Sequence, residues 1–374
     1  MRFQQVCIES LGYVLPEEVL TSADLEQRLE PLYKRLRLPS GRLELMTGIR
    51  ERRFWAANTM PSDSSIQSCR HALQAADLAP SQIGALIHAS VCRDHLEPAT
   101  ASRVHDELGL PYDCVIYDVS NACLGILNGM LQAANMIELG QIDAALVVGS
   151  EGSRALVETT IDSLNRDPSW TRRSVKLAVA SLTIGSASVA VALTHESISQ
   201  TQNQLLGGAV MANTEHHRLC HSGSDEAAST GMHPLMTTDS EKLMAEGIKT
   251  GAACFNRFKE TLHWSQNDID RSICHQVGTA HRKLMLESLN LRPETDFATL
   301  EYLGNTGSAA LPTTLALGLE YGHVNKGDQL ALLGIGSGIN SVMLGVDWQQ
   351  TSVEGTDPHR NRQLWQADTQ VGTA

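Results

Sequence analysis

Short, nearly unbroken apolar runs punctuate the chain at Ala85–Ser90, Cys114–Val119, Ala144–Gly149 and Leu330–Leu333. A strand with one wet face alternates polar and apolar positions, so runs of this kind predict strands buried on both faces of a parallel sheet. Between them the spacing becomes helical. Ser62–Ala76 is one such segment. Leu124–Leu139 is clearer, with Leu127, Leu131, Ala134 and Ile137 recurring on one face and Gly140 as a natural stop. Strands that alternate with helices predict a layered α/β fold.

The two halves echo one another. The first closes on LTIGSASVAVAL (Leu182–Leu193) and the second on LALLGIGSGINSVMLGV (Leu330–Val346), each a Gly/Ser-punctuated pair of strand-like runs. This predicts a duplicated fold with its junction near residues 195–205, in the polar run HESISQTQNQ. The expected division is 1–200 for the first half and 201–348 for the second. Residues 349–374 carry few apolar side chains and are expected to be a mobile tail. Gln329–Val346 is free of charge, but Gly334, Gly336, Gly338 and Asn340 interrupt it, which suits two short strands about a turn and not a membrane span.

Composition narrows the function. Of 374 residues 42% are hydrophobic and only 4% aromatic, a balance that lets helices lie close on sheets. The formal net charge of −13 argues against nucleic-acid binding, which needs a concentrated basic surface. Arg50, Arg52 and Arg53 could still form a local anion site, although a solvated charge run explains them as well. The N-terminus lacks the basic start and apolar core of a secretory signal, and eight cysteines show no CxxC pair or disulfide spacing. Reduced thiols in a cytoplasm are expected.

Candidate chemistry sits at the ends of the predicted elements. Cys123, in DVSNACLG, falls where a strand ending at Val119 turns into the helix beginning near Leu124. Unpaired N–H groups at a helix start favour a thiolate and can meet an oxyanion on an attacked thioester. A buried structural thiol fits the same position. His275, in CHQVG, follows a strand-like run, where catalytic groups gather, yet it is one of 14 histidines. Asn305 lies between Gly304 and Gly307 in LGNTGSAALP, either an ordinary turn residue or an amide donor to a developing oxyanion. The Gly-rich GIGSGIN (Gly334–Asn340) lacks the GxxxxGK[ST] spacing of a phosphate loop and reads better as a turn whose backbone approaches a substrate. His216–His217 is an adjacent pair without metal-ligand spacing, and no metal is expected.

Taken together, these segments resemble the thiolase superfamily, and within it the ketoacyl synthase III group. DVSNACLG resembles the nucleophile segment, CHQVG the histidine segment, LGNTGSAALP the asparagine segment and GIGSGIN the C-terminal glycine-rich turn, all in the family's order. The opening SLGYVLPEEVLTSADLEQRL resembles the family's first strand and helix. The resemblance implies a five-layered αβαβα fold from two duplicated halves, commonly a homodimer. It implies acylation of Cys123, promotion of carbon–carbon bond formation by His275 and Asn305, and an oxyanion hole from the backbone N–H of Cys123 and Ser337. No cofactor is implied; acyl-CoA or an acyl carrier protein delivers the substrate.

Two details refine the branch. Fatty-acid-initiating members usually carry Asn where this chain has Gly278. VCRDHLEPATAS (Val91–Ser102) is similar to a segment of the OleA-type thiolases, long-chain acyl-condensing enzymes of olefin biosynthesis. That likeness makes Glu97 a catalytic base reaching the neighbouring subunit's site, with Arg93 and Asp94 as loop anchors or ion-pair partners. A malonyl donor generates its carbanion by losing carbon dioxide, whereas joining two ordinary acyl thioesters needs a base. The expected reaction is therefore a non-decarboxylating Claisen condensation of two acyl-CoAs. The alternatives are a decarboxylating ketoacyl synthase III using a malonyl carrier protein, a pyrone-forming relative, and a non-catalytic acyl-binding subunit. The loop Asn213–Met236 is expected near the entrance.

Overall fold

The apolar runs become central strands of one mixed sheet. In a computed structural model that describes residues 1–222, 236–362 and 364, the sheet comprises β1 (Val6–Val14), β2 (Ala85–Ala89), β3 (Val115–Val119), β4 (Ala144–Glu151), β5 (Ala187–His195), β6 (Gln204–Ala212), β7 (Arg271–Cys274), β8 (Gln329–Gly336), β9 (Asn340–Asp347) and β10 (Val353–Thr356). Their order is β7-β8-β9-β6-β1-β5-β4-β2-β3, with β10 added beside β1. Six principal helices pack on it: α1 (Pro61–Ala76), α2 (Thr100–Leu108), α3 (Gly125–Glu138), α4 (Ser240–Leu262), α5 (Thr279–Ser288) and α6 (Ala310–Glu320). Among the described residues no helix is long and apolar enough to cross a membrane.

Strand order exposes the repeat. β2 runs parallel to β4, β4 antiparallel to β5, and β5 antiparallel to β1. In the second half β7 runs parallel to β8, β8 antiparallel to β9, and β9 antiparallel to β6. The correspondence differs from the expected one at Leu182–Leu193. Only Ala187–His195 is a strand there, because Val179–Leu182 is helical. The hairpin β8–β9 therefore matches β4 and β5, which are separated by an excursion through residues 152–186. That excursion packs Val157, Ile161, Leu164 and Leu182 against Leu25, Leu29 and Leu43, forming a cap beside the sheet.

Alternation within the buried strands makes the layers. In β2, Ala85, Ile87 and Ala89 face one core while Leu86 faces another; β8 does the same with Leu330 and Leu332 against Ala331 and Leu333. The shared central core encloses α3 and α6, whereas α1 and α2 cover one outer face and α4 and α5 the other. Each fully buried Leu or Val contributes about 1.5–3 kcal/mol, so the doubly covered sheet is the main source of stability. Gly125 opens α3 against β2, where a Cβ would lie 3.1 Å from the carbonyl oxygen of Ala89. The first turn of this helix is pinned by that contact.

The C-terminal segment and the arginine cluster differ from expectation. Residues 349–362 are ordered: Val353–Thr356 pairs in parallel with Leu11–Val14 of β1. The reason is non-local, since β6 pairs with β1 only at Cys7 and leaves the rest of that edge open. Residues 363 and 365–374 lie outside the described residues. Arg52 and Arg53 are neither solvated nor an anion site; both are buried. Arg50 alone is exposed, facing Glu44 and Glu301. Arg53 meets the buried carboxylate of Asp357 at 3.3 Å, which fastens the C-terminal segment.

Because Arg53 Nε and Nη2 and Asp357 Oδ2 lack partners among the described residues, this pair is imperfectly compensated for its desolvation. Asp357→Ala should destabilise the protein by about 3–5 kcal/mol in urea denaturation, since it strands a buried charge. The double variant Arg53→Met/Asp357→Leu should recover most of that loss.

Candidate active site

After β3 ends at Val119 the chain turns sharply into α3. Ala122 adopts a left-handed φ of 46°, a conformation costing a non-glycine residue on the order of 1 kcal/mol. The N–H of Leu124 donates to Asn121 O at 3.0 Å, closing the turn. Leu124 is buried in the central core and holds Cys123 at the element boundary. Across from it a Cβ on Gly336 would stand 3.1 Å from Leu124 Cγ and 3.5 Å from Cys123 Cβ, so the end of β8 packs closely on this boundary. Asn340 Nδ2 donates to Asn121 Oδ1 at 3.1 Å and to Ser337 O at 3.3 Å, which ties the two turns together. The backbone N–H groups of Cys123 and Ser337 both face the thiol sulfur.

His275 continues the register of β7, its N–H donating to Leu333 O at 3.0 Å. Its ring is buried, and neither ring nitrogen has a hydrogen-bond partner among the described residues. Gln276 steadies the neighbouring loops: Nε2 donates to Phe297 O, and Oε1 accepts from Thr299 and Leu300 N–H. Asn305 is clamped by backbone bonds to Thr183 and Gly185, each 2.9 Å. Its Oδ1 accepts the Gly307 N–H at 3.0 Å, which assigns the amide and leaves its NH₂ as the donor for a ligand.

Cys123, His275, Asn305 and Ser337 line one cavity of about 1210 Å³. Leu156, Leu243, Met244, Ile335 and Ile339 supply apolar wall; Arg173 and Lys176 lie on it with Glu151, Asp239 and Glu241, and Lys176 Nζ stands 3.5 Å from Glu241. Cys220, His221, Ser222 and Met236 bring both ends of the Asn213–Met236 loop to the wall; residues 223–235 of that loop lie outside the described residues. Glu97 is exposed and does not line the cavity of its own chain. Asp94 anchors the Glu97 loop by accepting the Ser62 N–H at 3.0 Å. His216 lies near Glu215 and Glu246, and among the described residues no cluster of His, Cys, Asp and Glu could hold a metal.

Burial sets the protonation states. The Cys123 thiol is pushed up to about 12, first by desolvation and then by Cys220 and Glu151, against the pull of the two backbone N–H groups. This differs from the thiolate expected at a helix start, because the apolar cavity outweighs the local dipole. His275 is pulled down to about 3 by burial and by His281, which burial lowers to about 4. The resting pair is a neutral thiol and a neutral imidazole.

Sequence reasoning missed Glu151, Cys92, Cys220 and His281, all on the cavity wall. Glu151 carried a usable signal. It stands at the carboxyl end of a buried strand, where ligands collect in α/β folds.

The thiolase N-terminal domain family matches residues 45–160, and the 3-oxoacyl-[acyl-carrier-protein] synthase III C-terminal family matches residues 260–348. An acyl-CoA:acyl-CoA alkyltransferase of Shewanella oneidensis is 42% identical over 93% of this chain and 100% of its own length. One from Xanthomonas campestris is 36% identical over 93% and 100%. A crystal structure of Xanthomonas campestris OleA superposes with a TM-score of 0.87 at 35% identity, covering 93% of this chain and 98% of that one. Solved OleA structures include variants with a cysteine, a glutamate or a histidine replaced. A beta-ketoacyl-[acyl-carrier-protein] synthase III of Symbiobacterium thermophilum matches at 28% identity over 93% and 99%.

A thiol titrating near 12 is almost wholly protonated at neutral pH, and its thiolate fraction rises tenfold with each pH unit. Iodoacetamide modification of Cys123, followed by peptide mass spectrometry, should therefore accelerate about tenfold per unit from pH 7 to 9 without levelling. His275 stays uncharged above about 3, so no acidic limb should arise from it between pH 5 and 8. A plateau near pH 8.5 would mark Cys123 as an ordinary exposed thiol.

Proposed function

Since the chain belongs to the thiolase superfamily, in the branch of the acyl-CoA:acyl-CoA alkyltransferases, we propose that it joins two acyl-CoA molecules by a Claisen condensation without decarboxylation. The observation that carries this reading is the convergence of Cys123, His275, Asn305 and the Ser337 backbone on one large, mostly apolar cavity. It is a transferase, and its chemistry divides into two half-reactions.

In the first, Cys123 sulfur attacks the carbonyl carbon of one acyl-CoA, and its proton passes through the neutral His275 imidazole to the departing CoA sulfur. The N–H groups of Cys123 and Ser337 meet the oxyanion, which exists only in the transition state and its intermediate. The products are an acyl-cysteine and free CoA. Arg173 and Lys176 suit the phosphates of the CoA. In the second, a carboxylate removes an α-proton from another acyl-CoA. His275 and the Asn305 NH₂ hold the enolate oxygen while the α-carbon attacks the acyl-cysteine. The C–C bond forms, the C–S bond breaks, and the thiolate recovers the proton from the carboxylate, releasing a β-ketoacyl-CoA.

We assign that carboxylate to Glu97 of a second subunit in a homodimer. Exposure of Glu97 and its absence from its own cavity support delivery across an interface. The glutamate replaced in the solved OleA variants also precedes the replaced cysteine by the same interval as Glu97 precedes Cys123 here. The free state of all eight cysteines fits a reducing cytoplasm.

Incubated with long-chain acyl-CoA alone, the protein should form a β-keto acid or its ketone; a requirement for a malonyl thioester would favour the decarboxylating reading. Glu97→Ala should abolish condensation while mass spectrometry still finds acylated Cys123. An equal mixture of Glu97→Ala and Cys123→Ala subunits, after exchange, should regain about a quarter of wild-type activity, because half the dimers then hold one complete site. No recovery in exchanged dimers would confine Glu97 to its own subunit.

A further inference from the structure

Glu151 ends β4 with a buried carboxylate, 4% exposed, on the wall of the Cys123 cavity. Oε1 accepts the Val91 N–H at 3.0 Å, the Ser308 N–H at 3.2 Å and the Ser308 hydroxyl at 2.6 Å. Oε2 accepts the Cys92 N–H at 3.3 Å. These donors come from two different loops. Val91 and Cys92 begin the loop that carries Glu97. Ser308 follows Gly307, whose N–H fixes the Asn305 amide.

Burying a carboxylate costs several kcal/mol unless donors replace its water, so a side chain serving only as filler would be better apolar. The donors here do replace water, and every one of them belongs to a loop that the second half-reaction uses. Donors from both loops reach the carboxylate, three on Oε1 and one on Oε2, which makes Glu151 an anchor for those loops. Its charge also bears on the nucleophile, since Glu151 is among the groups that disfavour a Cys123 thiolate.

Building on the condensation proposed above, we propose that Glu151 is a positioning residue for carbon–carbon bond formation. It sets the Asn305 amide in its own site and, through Val91 and Cys92, anchors the loop that delivers Glu97 to the partner's site. One buried anion thereby links the enolate-binding group of one site to the base of the other. Acylation of Cys123 needs neither group, so the residue acts on the second half-reaction.

Glu151→Gln is the near-isosteric test in the full-length protein, because the amide presents a donor where an acceptor is required. Condensation kcat should fall about tenfold or more, with KM for acyl-CoA changed less than about twofold. The Cys123 acyl adduct should still form, and iodoacetamide should modify Cys123 faster than in the wild type because the neighbouring charge is gone. Ser308→Ala, which removes one donor, should lower kcat by a smaller factor and serves alone if Glu151→Gln fails to fold by circular dichroism. A hybrid dimer pairing Glu97→Ala with Cys123→Ala/Glu151→Gln should be less active than the same hybrid without Glu151→Gln. Wild-type kcat in the folded variants, or equal loss of acylation and condensation, would overturn the proposal. A wild-type protein inert toward acyl-CoA would instead overturn the condensation itself, while the Cys123 modification rates still report on Glu151.

Discussion

The site depends on one close approach, between the turn that opens α3 and the glycine-rich turn that joins β8 to β9. These turns belong to opposite halves of the chain, and neither half alone makes the cavity. Gly336 packs closely there, a Cβ on it standing 3.1 Å from Leu124 Cγ, and the Asn340–Asn121 hydrogen bond joins the two turns. Both consequences are chemical. The N–H of Ser337 comes to the sulfur of Cys123 from the other half, and Leu124 is locked in the core shared by α3 and α6. A donor pair held by two packed layers need not reorganise when charge develops, which is the main advantage such a site has over water.

That same packing governs the electrostatics. A layered interior with few aromatics and much Ala, Leu, Val and Gly gives a cavity whose walls hydrate little. Desolvation therefore wins over the helix start at Cys123 and over any ion pair with His275. A neutral resting pair suits thioester exchange, because the imidazole can relay a proton in either direction without first being discharged. Both ring nitrogens of His275 lack hydrogen-bond partners among the described residues, which leaves them open to substrate atoms.

Much of this was legible along the chain, and the failures share a physical cause. The buried strands and α3 announced themselves because double-sided burial leaves a continuous apolar run and a helix leaves a periodic one. Cys123, His275 and Asn305 were visible because a strand that ends in a site ends in small and polar residues. What escaped depends on distant partners. β10 has little apolar character and owes its order to an edge of β1 more than 300 residues earlier in the chain, an edge that β6 leaves open. Arg52 and Arg53 look solvated in sequence, yet the cap and the C-terminal segment close over them. Glu151 is one of 42 acidic residues, and only the loops converging on it distinguish it.

Two carboxylates of opposite character frame the chemistry. Glu151 is buried and surrounded by donors, whereas Glu97 is exposed at the end of a loop that Asp94 and Glu151 anchor near its start. Glu151 takes donors from two loops on its two oxygens, an arrangement that suits an anchor. In the proposed reaction Glu97 meets substrate only on docking into another subunit's cavity, so it stays in water until then. Under the same proposal, delivery from outside also keeps the base away from Cys123 while the first acyl group is loaded. On this proposal the anchor and the base are separate groups, so one apolar cavity can hold a neutral nucleophile and still receive a carboxylate from outside.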